Sequence, residues 1–409
     1  MADRNAASGI DSPAMGASEA EGDLHLGWRD TTAIALLSMG TSWGAGNVGP
    51  VVPDLESDFD LSLGSIGVLS GTIFYIGVLI GLAMAPKLAE RATVVTGMRA
   101  ACLFAGTGSL LFAVGSGFAL LSAGRVVAGI GLGLGAALGP VFGRAVGGVK
   151  GVGVFGAAFQ FGIGGGLATG SIVNDAGIDW RITFLVSAAV GFSALLFLRS
   201  VDIDFELSGG GFFKAARRSP SVYRLSLLFI AMFGAPLTLG AWLVHYLTVQ
   251  GDMALAAAGA LAFVLFGASA LLRLTGASLA SRGFPSWILA GLAPLLGTAG
   301  ILAICFDRSF DVALPAVILM AAGFAIPYAV MIVAAQRLYP KEPADPVALM
   351  TAAGSAIPIA IIPLVGVALA GGWGEEAFAA IALFVAFAGF MNAKLPTKAI
   401  PGGEVAGTT

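Results

Sequence analysis

The chain has 409 residues, 57% of them hydrophobic and only 11% charged, with a formal charge of −3. A soluble protein carries about 25% charged residues, so the composition excludes a water-soluble globule, gives no reason for a nucleic-acid partner, and points to a lipid bilayer. Cys102 and Cys305 lie in separate apolar runs, which argues against a disulfide scaffold, and the two histidines, His25 and His245, stand apart from any nucleophile or metal-ligand constellation. Neither an enzyme nor a cofactor or metal site is therefore expected.

In chain order, residues 1–30 hold six acids against Arg4 and Arg29, without the basic start and apolar core of a secretory signal, and are expected to form a disordered cytoplasmic tail. Twelve apolar stretches follow, each near the length of about 20 residues that spans a bilayer. They cover roughly 31–52, 63–84, 97–115, 118–142, 151–174, 180–200, 223–247, 255–274, 286–306, 312–335, 347–370 and 376–393. The pattern predicts an all-α integral membrane protein with two six-helix halves, 31–200 and 223–393. A cytoplasmic linker, 201–222, joins them, and a cytoplasmic tail, 394–409, closes the chain. With the N-terminus inside, 17 of the 21 Lys and Arg fall in inner segments and only Arg181 and Arg308 in outer loops. That asymmetry predicts a multi-pass protein of the cell membrane with both termini in the cytoplasm.

A repeat supports the division into halves. "LAER" (Leu88–Arg91) follows the second span and "LASR" (Leu279–Arg282) follows the eighth, 191 positions later, and the same offset carries the first span onto the seventh and the fourth onto the tenth. Parallel repeats of this kind build many secondary transporters.

Glycines crowd the fourth span, "GRVVAGIGLGLGAALGP" (Gly124–Pro140), where Gly131, Gly133 and Ala136 satisfy the spacing G-x-G-x-x-[GA]. A dinucleotide loop also needs a preceding strand and an acid about 20 residues on, but no Asp or Glu lies between Arg91 and Asp175. On a helix, Gly131, Gly135 and Gly139 recur every four residues, as do Gly162, Gly166 and Gly170 in the fifth span. Such rows let helices approach closely in lipid, so packing is the expected use.

These features together resemble the major facilitator superfamily over nearly the whole chain. In "PKLAERATVV" (Pro86–Val95), Leu88, Glu90 and Arg91 match the family's loop between helices 2 and 3, while Pro86 replaces its first Gly and Thr93, Val94 and Val95 its Gly-Arg-Arg end. Arg125 and Gly129 resemble its fourth-helix R-x-x-x-G pattern, "WRITF" (Trp180–Phe184) the start of helix 6, and "VVPDLESDFDLS" the loop between helices 1 and 2. The resemblance implies a fold in which helices 1, 4, 7 and 10 line a central cavity, and a single chain that carries a small-molecule substrate, with a coupling proton as an option.

Two arginines lie inside spans, where each costs about 2.5–3.5 kcal/mol on insertion scales. Arg125 sits about seven residues into the fourth span, roughly 10 Å deep. It reads either as a substrate or coupling group facing the cavity or as half of a structural ion pair with Asp54 or Asp175. Arg273, with Arg282, resembles the R-x-x-x-G-x-L-x-D-R pattern of anion-handling members, although Ala277 and Ser281 replace the Gly and the acid. A guanidinium forks onto a carboxylate, so Arg273 reads as an anion site or as a brace at the inner gate. Trp43, Asn47, Gln160, Trp242, His245 and Tyr328 are the remaining substrate-binding candidates, with Leu88, Glu90, Arg91, Leu279 and Arg282 as inner-loop gating residues.

Three functions follow from these readings. The first is secondary active transport of a small solute by alternating access, with a small organic anion as the best candidate. Drug or metabolite efflux by proton antiport is a second, although "GIGGGLATG" in the fifth span lacks the proline of the drug antiporters and no span holds an acid near its middle. A non-transporting membrane sensor or binding protein is a third.

Overall fold

Proline, glycine and charge divide the apolar chain into helices at nearly the expected places. The computed structural model describes residues 27–199, 220–338 and 344–394. In it α1 spans Trp28–Ser42, α2 Leu63–Arg91, α3 Val94–Ala113, α4 Phe118–Gly148, α5 Lys150–Asp175 and α6 Arg181–Leu196. The second half comprises α7 Pro220–Val249, α8 Leu255–Ala280, α9 Ile288–Phe306, α10 Phe310–Ala335, α11 Leu349–Ala370 and α12 Gly374–Met391. Ten of these are long and apolar enough to cross a membrane, and α1 and α6, which are shorter, complete the expected order of twelve. Most of the expected tails and linker lies outside the described residues.

The first span differs from its expected course in two ways. Helix α1 begins at Trp28, within the expected tail, because Asp30 is buried there against Arg199 at the end of α6, with Arg199 Nε donating to Oδ1 at 2.9 Å and Nη2 to Oδ2 at 2.8 Å. It also leaves α geometry early, passing through the 3-10 turns Trp43–Ala45 and Gly49–Val51 into a short helix, Val52–Phe59. Between α4 and α5 the chain reverses at Gly148, whose φ of 54° and ψ of −140° suit glycine alone.

Small residues set the packing of the first half. A methyl group placed on Gly129 would lie 3.1 Å from Gly77 Cα, and one on Gly133 would lie 2.9 Å from Gly81 Cα, so α2 and α4 touch backbone to backbone. Ser38 and Ser42, one turn apart on α1, donate to the carbonyls of Phe155 and Phe159 on α5 at 2.7 and 2.9 Å. In the second half, Arg224 at the start of α7 donates to the carbonyls of Met391, the last residue of α12, and Lys394 beyond it, which fastens the counterpart of the helix pair that Asp30 and Arg199 fasten in the first. Tyr246 and Phe378 stack at 4.4 Å near the other end of α7 and α12.

Candidate functional site

Where the halves meet, one enclosed cavity lies in the middle of the bundle. Ala45, Tyr75, Val78, Leu82, Leu132 and Ala136 line it from the first half together with Phe159 and Ile163, and Phe233, Leu237, Thr351 and Ser355 line it from the second. Only Tyr75, Thr351 and Ser355 bring a hydroxyl, so its wall is almost wholly apolar. The centre of a water-sized sphere can occupy about 20 Å³ of it, close to the minimum that admits one water. Small-molecule pockets run to several hundred Å³, so a solute can enter only if the halves move apart. The 3-10 turn after α1 and helices α2, α4, α5, α7 and α11 supply the lining, whereas α10, expected there from the resemblance, does not, and α2, α5 and α11 take part instead.

At the end that carries the short helix Val52–Phe59, the halves are sealed. A methyl placed on Gly67 or Gly71 of α2 would lie 2.7 Å from Pro363 Cα or Ile362 Cβ of α11, and one on Gly49 would lie 2.9 Å from the Ala241 carbonyl of α7. A hydrogen bond also crosses the seal. Pro363 has no N–H, so the Ile359 carbonyl loses its helical partner, and Thr72 Oγ1 of α2 donates to it at 2.6 Å. Nearer the other end, where α1, α7 and α12 have their termini, Phe159 of α5 meets Phe233 of α7 at a centroid distance of 6.2 Å. The row continues through Phe229 to Tyr328 of α10, where the Arg273 guanidinium lies 4.3 Å from the ring.

Arg125 stands away from the cavity wall. It is 2% exposed, lies over the Phe74 ring at 4.0 Å, and donates from Nη1 to the Gly44 carbonyl at 2.6 Å and from Nε to the Leu69 carbonyl at 3.3 Å. Both acceptors lie where helices are irregular, Gly44 in the 3-10 turn after α1 and Leu69 in a π-helical stretch of α2, Val68–Ile73. The alternative of an ion pair with Asp54 is not formed: Asp54 Oδ2 accepts from Asn174 Nδ2 at 2.5 Å. Sequence could not reveal this arrangement, because nothing in the periodicity marks which carbonyls the helices will release.

The other candidates are dispersed. Trp43 packs its ring on Gly165, and Asn47, fully buried, packs on Gly166, while Gly162 and Gly170 also receive the α1 side, at Met39 and Pro50. Gln160 is buried on α5. Trp242 of α7 donates from Nε1 to the Ile362 carbonyl at 2.9 Å, and buried His245 lies beside it at a ring distance of 6.0 Å. Gly131, Gly135 and Gly139 address α3, α1 and α5 in turn, at Ala105, Thr41 and Phe155. Leu88, Glu90 and Arg91 close α2, and Leu279 and Arg282 stand at the end of α8, with Glu90, Arg91 and Arg282 exposed. What sequence reasoning missed is the polar trio Tyr75, Thr351 and Ser355; these are common residues at unremarkable positions, so no local signal marks them.

A second, open pocket at the sealed end is polar, lined by Asp54, Asp58, Asn174, Asp179, Trp180 and Arg181 among others. Its groups satisfy one another: Trp180 Nε1 donates to Asp58 at 2.9 Å, and Arg181 lies 3.5 Å from both Asp58 and Asp179. Burial raises the Asp54 carboxyl above its ordinary value, against the lowering effect of the Asn174 hydrogen bond.

Two six-helix halves around an apolar cavity, sealed at one end by α2 against α11, define a polytopic membrane carrier. Residues 33–363 match the family described as "Major Facilitator Superfamily", and the chain belongs to it. Among solved structures it is similar to a D-xylose-proton symporter, with 16% identity, a TM-score of 0.73 and coverage of 91% of this chain and 99% of that one. A bacterial homolog to human lysosomal transporter Spinster, in an inward-facing and unoccupied conformation, shares 18% identity at a TM-score of 0.68, covering 89% and 96%. The xylose transporter XylE from E. coli, in an inward open conformation, shares 15% at 0.71, covering 89% and 95%. No curated protein sequence matches.

Proposed function

We propose that this major facilitator carries a small organic solute with a largely apolar body, by alternating access of the central cavity to the two ends of the bundle. The lining carries the reading: nine of its twelve side chains are hydrocarbon or aromatic, and the three hydroxyls of Tyr75, Thr351 and Ser355 suit one or two polar atoms on the solute. A sugar, with a hydroxyl on nearly every carbon, would leave most of them unpaired against this wall. The small organic anion expected from the sequence remains a second reading, supported by Arg273, whose buried Nε has no hydrogen-bond partner beside the Tyr328 ring. On that reading the carboxylate meets Arg273 on the way between the cavity and the end opposite the seal. Asn47 and Trp43, with buried side-chain nitrogens lacking partners, are proposed to contribute as the halves move.

A single chain in the cell membrane, with both termini and the 201–222 linker in the cytoplasm, is proposed from the Lys and Arg asymmetry. The test is a thermal-shift panel of neutral amphipaths, carboxylates, sugars, amino acids and cationic drugs on the purified chain, followed by counterflow in proteoliposomes with and without a proton gradient, which also reads out proton antiport. Binding to the folded state raises the melting temperature. Neutral or singly charged solutes with apolar bodies are expected to give the largest rise; stabilisation by sugars alone would overturn the reading.

A further inference from the structure

The π-helical stretch of α2, Val68–Ile73, is held from two sides. On one, Arg125 of α4 donates from Nε to the Leu69 carbonyl, and from Nη1 to the Gly44 carbonyl in the broken end of α1. On the other, Thr72 donates to the Ile359 carbonyl that Pro363 leaves free on α11, and Gly71 lies against Ile362 and Pro363. A π turn is a single-turn widening of the helix, and moving it by one residue past Thr72 would turn that side chain about 100° away from its acceptor. The Arg125 side chain spans the only charged contact to this stretch among the described residues, and Phe74, over which it lies, follows the π turn directly.

We infer that Arg125 is a positioning residue for the seal between the halves: by binding the Leu69 and Gly44 carbonyls together it fixes the π turn of α2 so that Thr72 meets the Ile359 carbonyl of α11. It acts through α2, and its partners Gly44, Leu69 and Phe74 all belong to the first half. Each opening of the sealed end breaks the Thr72 bond while the Arg125 bonds persist, so that α2 returns to the same register on closing. The inference rests on alternating access but on no particular substrate.

The experiment reads the seal without any solute. In a full-length chain with Cys102→Ala and Cys305→Ser, Ile362→Cys places a thiol on α11 against Gly71, where Ile362 is 1% exposed. The rate at which a charged thiol reagent labels it in detergent micelles measures opening. Arg125→Met is expected to raise that rate up to about fivefold, because the Arg125 bonds persist on opening and it acts only through the one neutral hydrogen bond that Thr72 makes. Thr72→Val should raise it about fivefold, the equivalent of one neutral hydrogen bond. The double variant should label no faster than Thr72→Val alone, because both changes release one latch. If Arg125→Met does not fold, Arg125→Lys carries the test: one ammonium cannot hold both carbonyls, so labelling falls between wild type and Thr72→Val and does not multiply with it. Wild-type labelling in the arginine variants would overturn the inference, whether or not the melting temperature falls, since a purely structural residue moves only the latter. So would multiplicative rates in the doubles.

Discussion

The offset of 191 residues that relates the halves sets Gly129 and Gly133 of α4 against Met320 and Phe324 of α10, Arg125 against Ala316, and Leu82 against Arg273. In the first half those glycines admit the α2 backbone; in the second, the equivalent side chains fill the space beside Gly300 and Gly297 of α9. Each half also sets an arginine inside a span, buried in the case of Arg125 and half-buried in that of Arg273, at positions that do not correspond. Both lie on an aromatic face with one buried nitrogen unpartnered, Nη2 of Arg125 and Nε of Arg273, and Arg125 is held in addition by two carbonyls. Volume is thus removed at Gly129 and Gly133 of α4 and added at their counterparts in α10, while Gly323 of α10 and Gly276 of α8 bring backbones together in the second half as well, at Gly297 and Ile326.

The largest effect expected from breaking this contrast is Gly129→Val. Its added methyls would run into the Phe74 carbonyl and Gly77 Cα, both backbone atoms that cannot swing aside. Size-exclusion chromatography should show loss of the folded, monodisperse species. Met320→Ala, its counterpart, removes volume and should lower stability by about 2–5 kcal/mol while leaving the fold intact. Next in size is Arg273→Ala, which on the anion reading should weaken binding of carboxylate-bearing solutes by about tenfold and leave neutral ones unchanged, as read by thermal shift.

The two end clamps make a finer comparison. Arg224→Ala strands the Met391 and Lys394 carbonyls and should lower the melting temperature more than Arg199→Ala. The latter breaks an ion pair whose arginine side chain is 62% exposed and should lose about 1 kcal/mol or less. Smaller again, Ser38→Ala and Ser42→Ala should each lose about 0.6 kcal/mol, typical of interhelical hydrogen bonds in membranes. Least of all is Asp54→Asn. Because the folded protein holds this carboxyl above its ordinary value of 3.8, its contribution to stability is complete below that pH and declines as pH rises through the raised value. The variant should therefore melt slightly higher than wild type near neutral pH, and the difference should vanish in acid.

Much of the fold was legible in the sequence, because lipid imposes a period and a length on every span. The apolar runs, the 191-residue repeat and the glycine rows led to the twelve-helix order and to packing as the role of Gly131, Gly135 and Gly139, and the absence of any acid from Arg91 to Asp175 disposed of a nucleotide loop at Gly131 and Gly133. The site was less legible. Tyr75, Thr351 and Ser355 come together only because α2 and α11 cross at the seal, and a pairing between segments nearly 280 residues apart leaves no mark in local composition. Arg125 makes the same distinction: its burial could be inferred from an arginine in an apolar run, but its partners are backbone carbonyls freed by a 3-10 turn and a π turn. Every residue carries a carbonyl, so which ones lie free for a side chain is decided by tertiary packing alone.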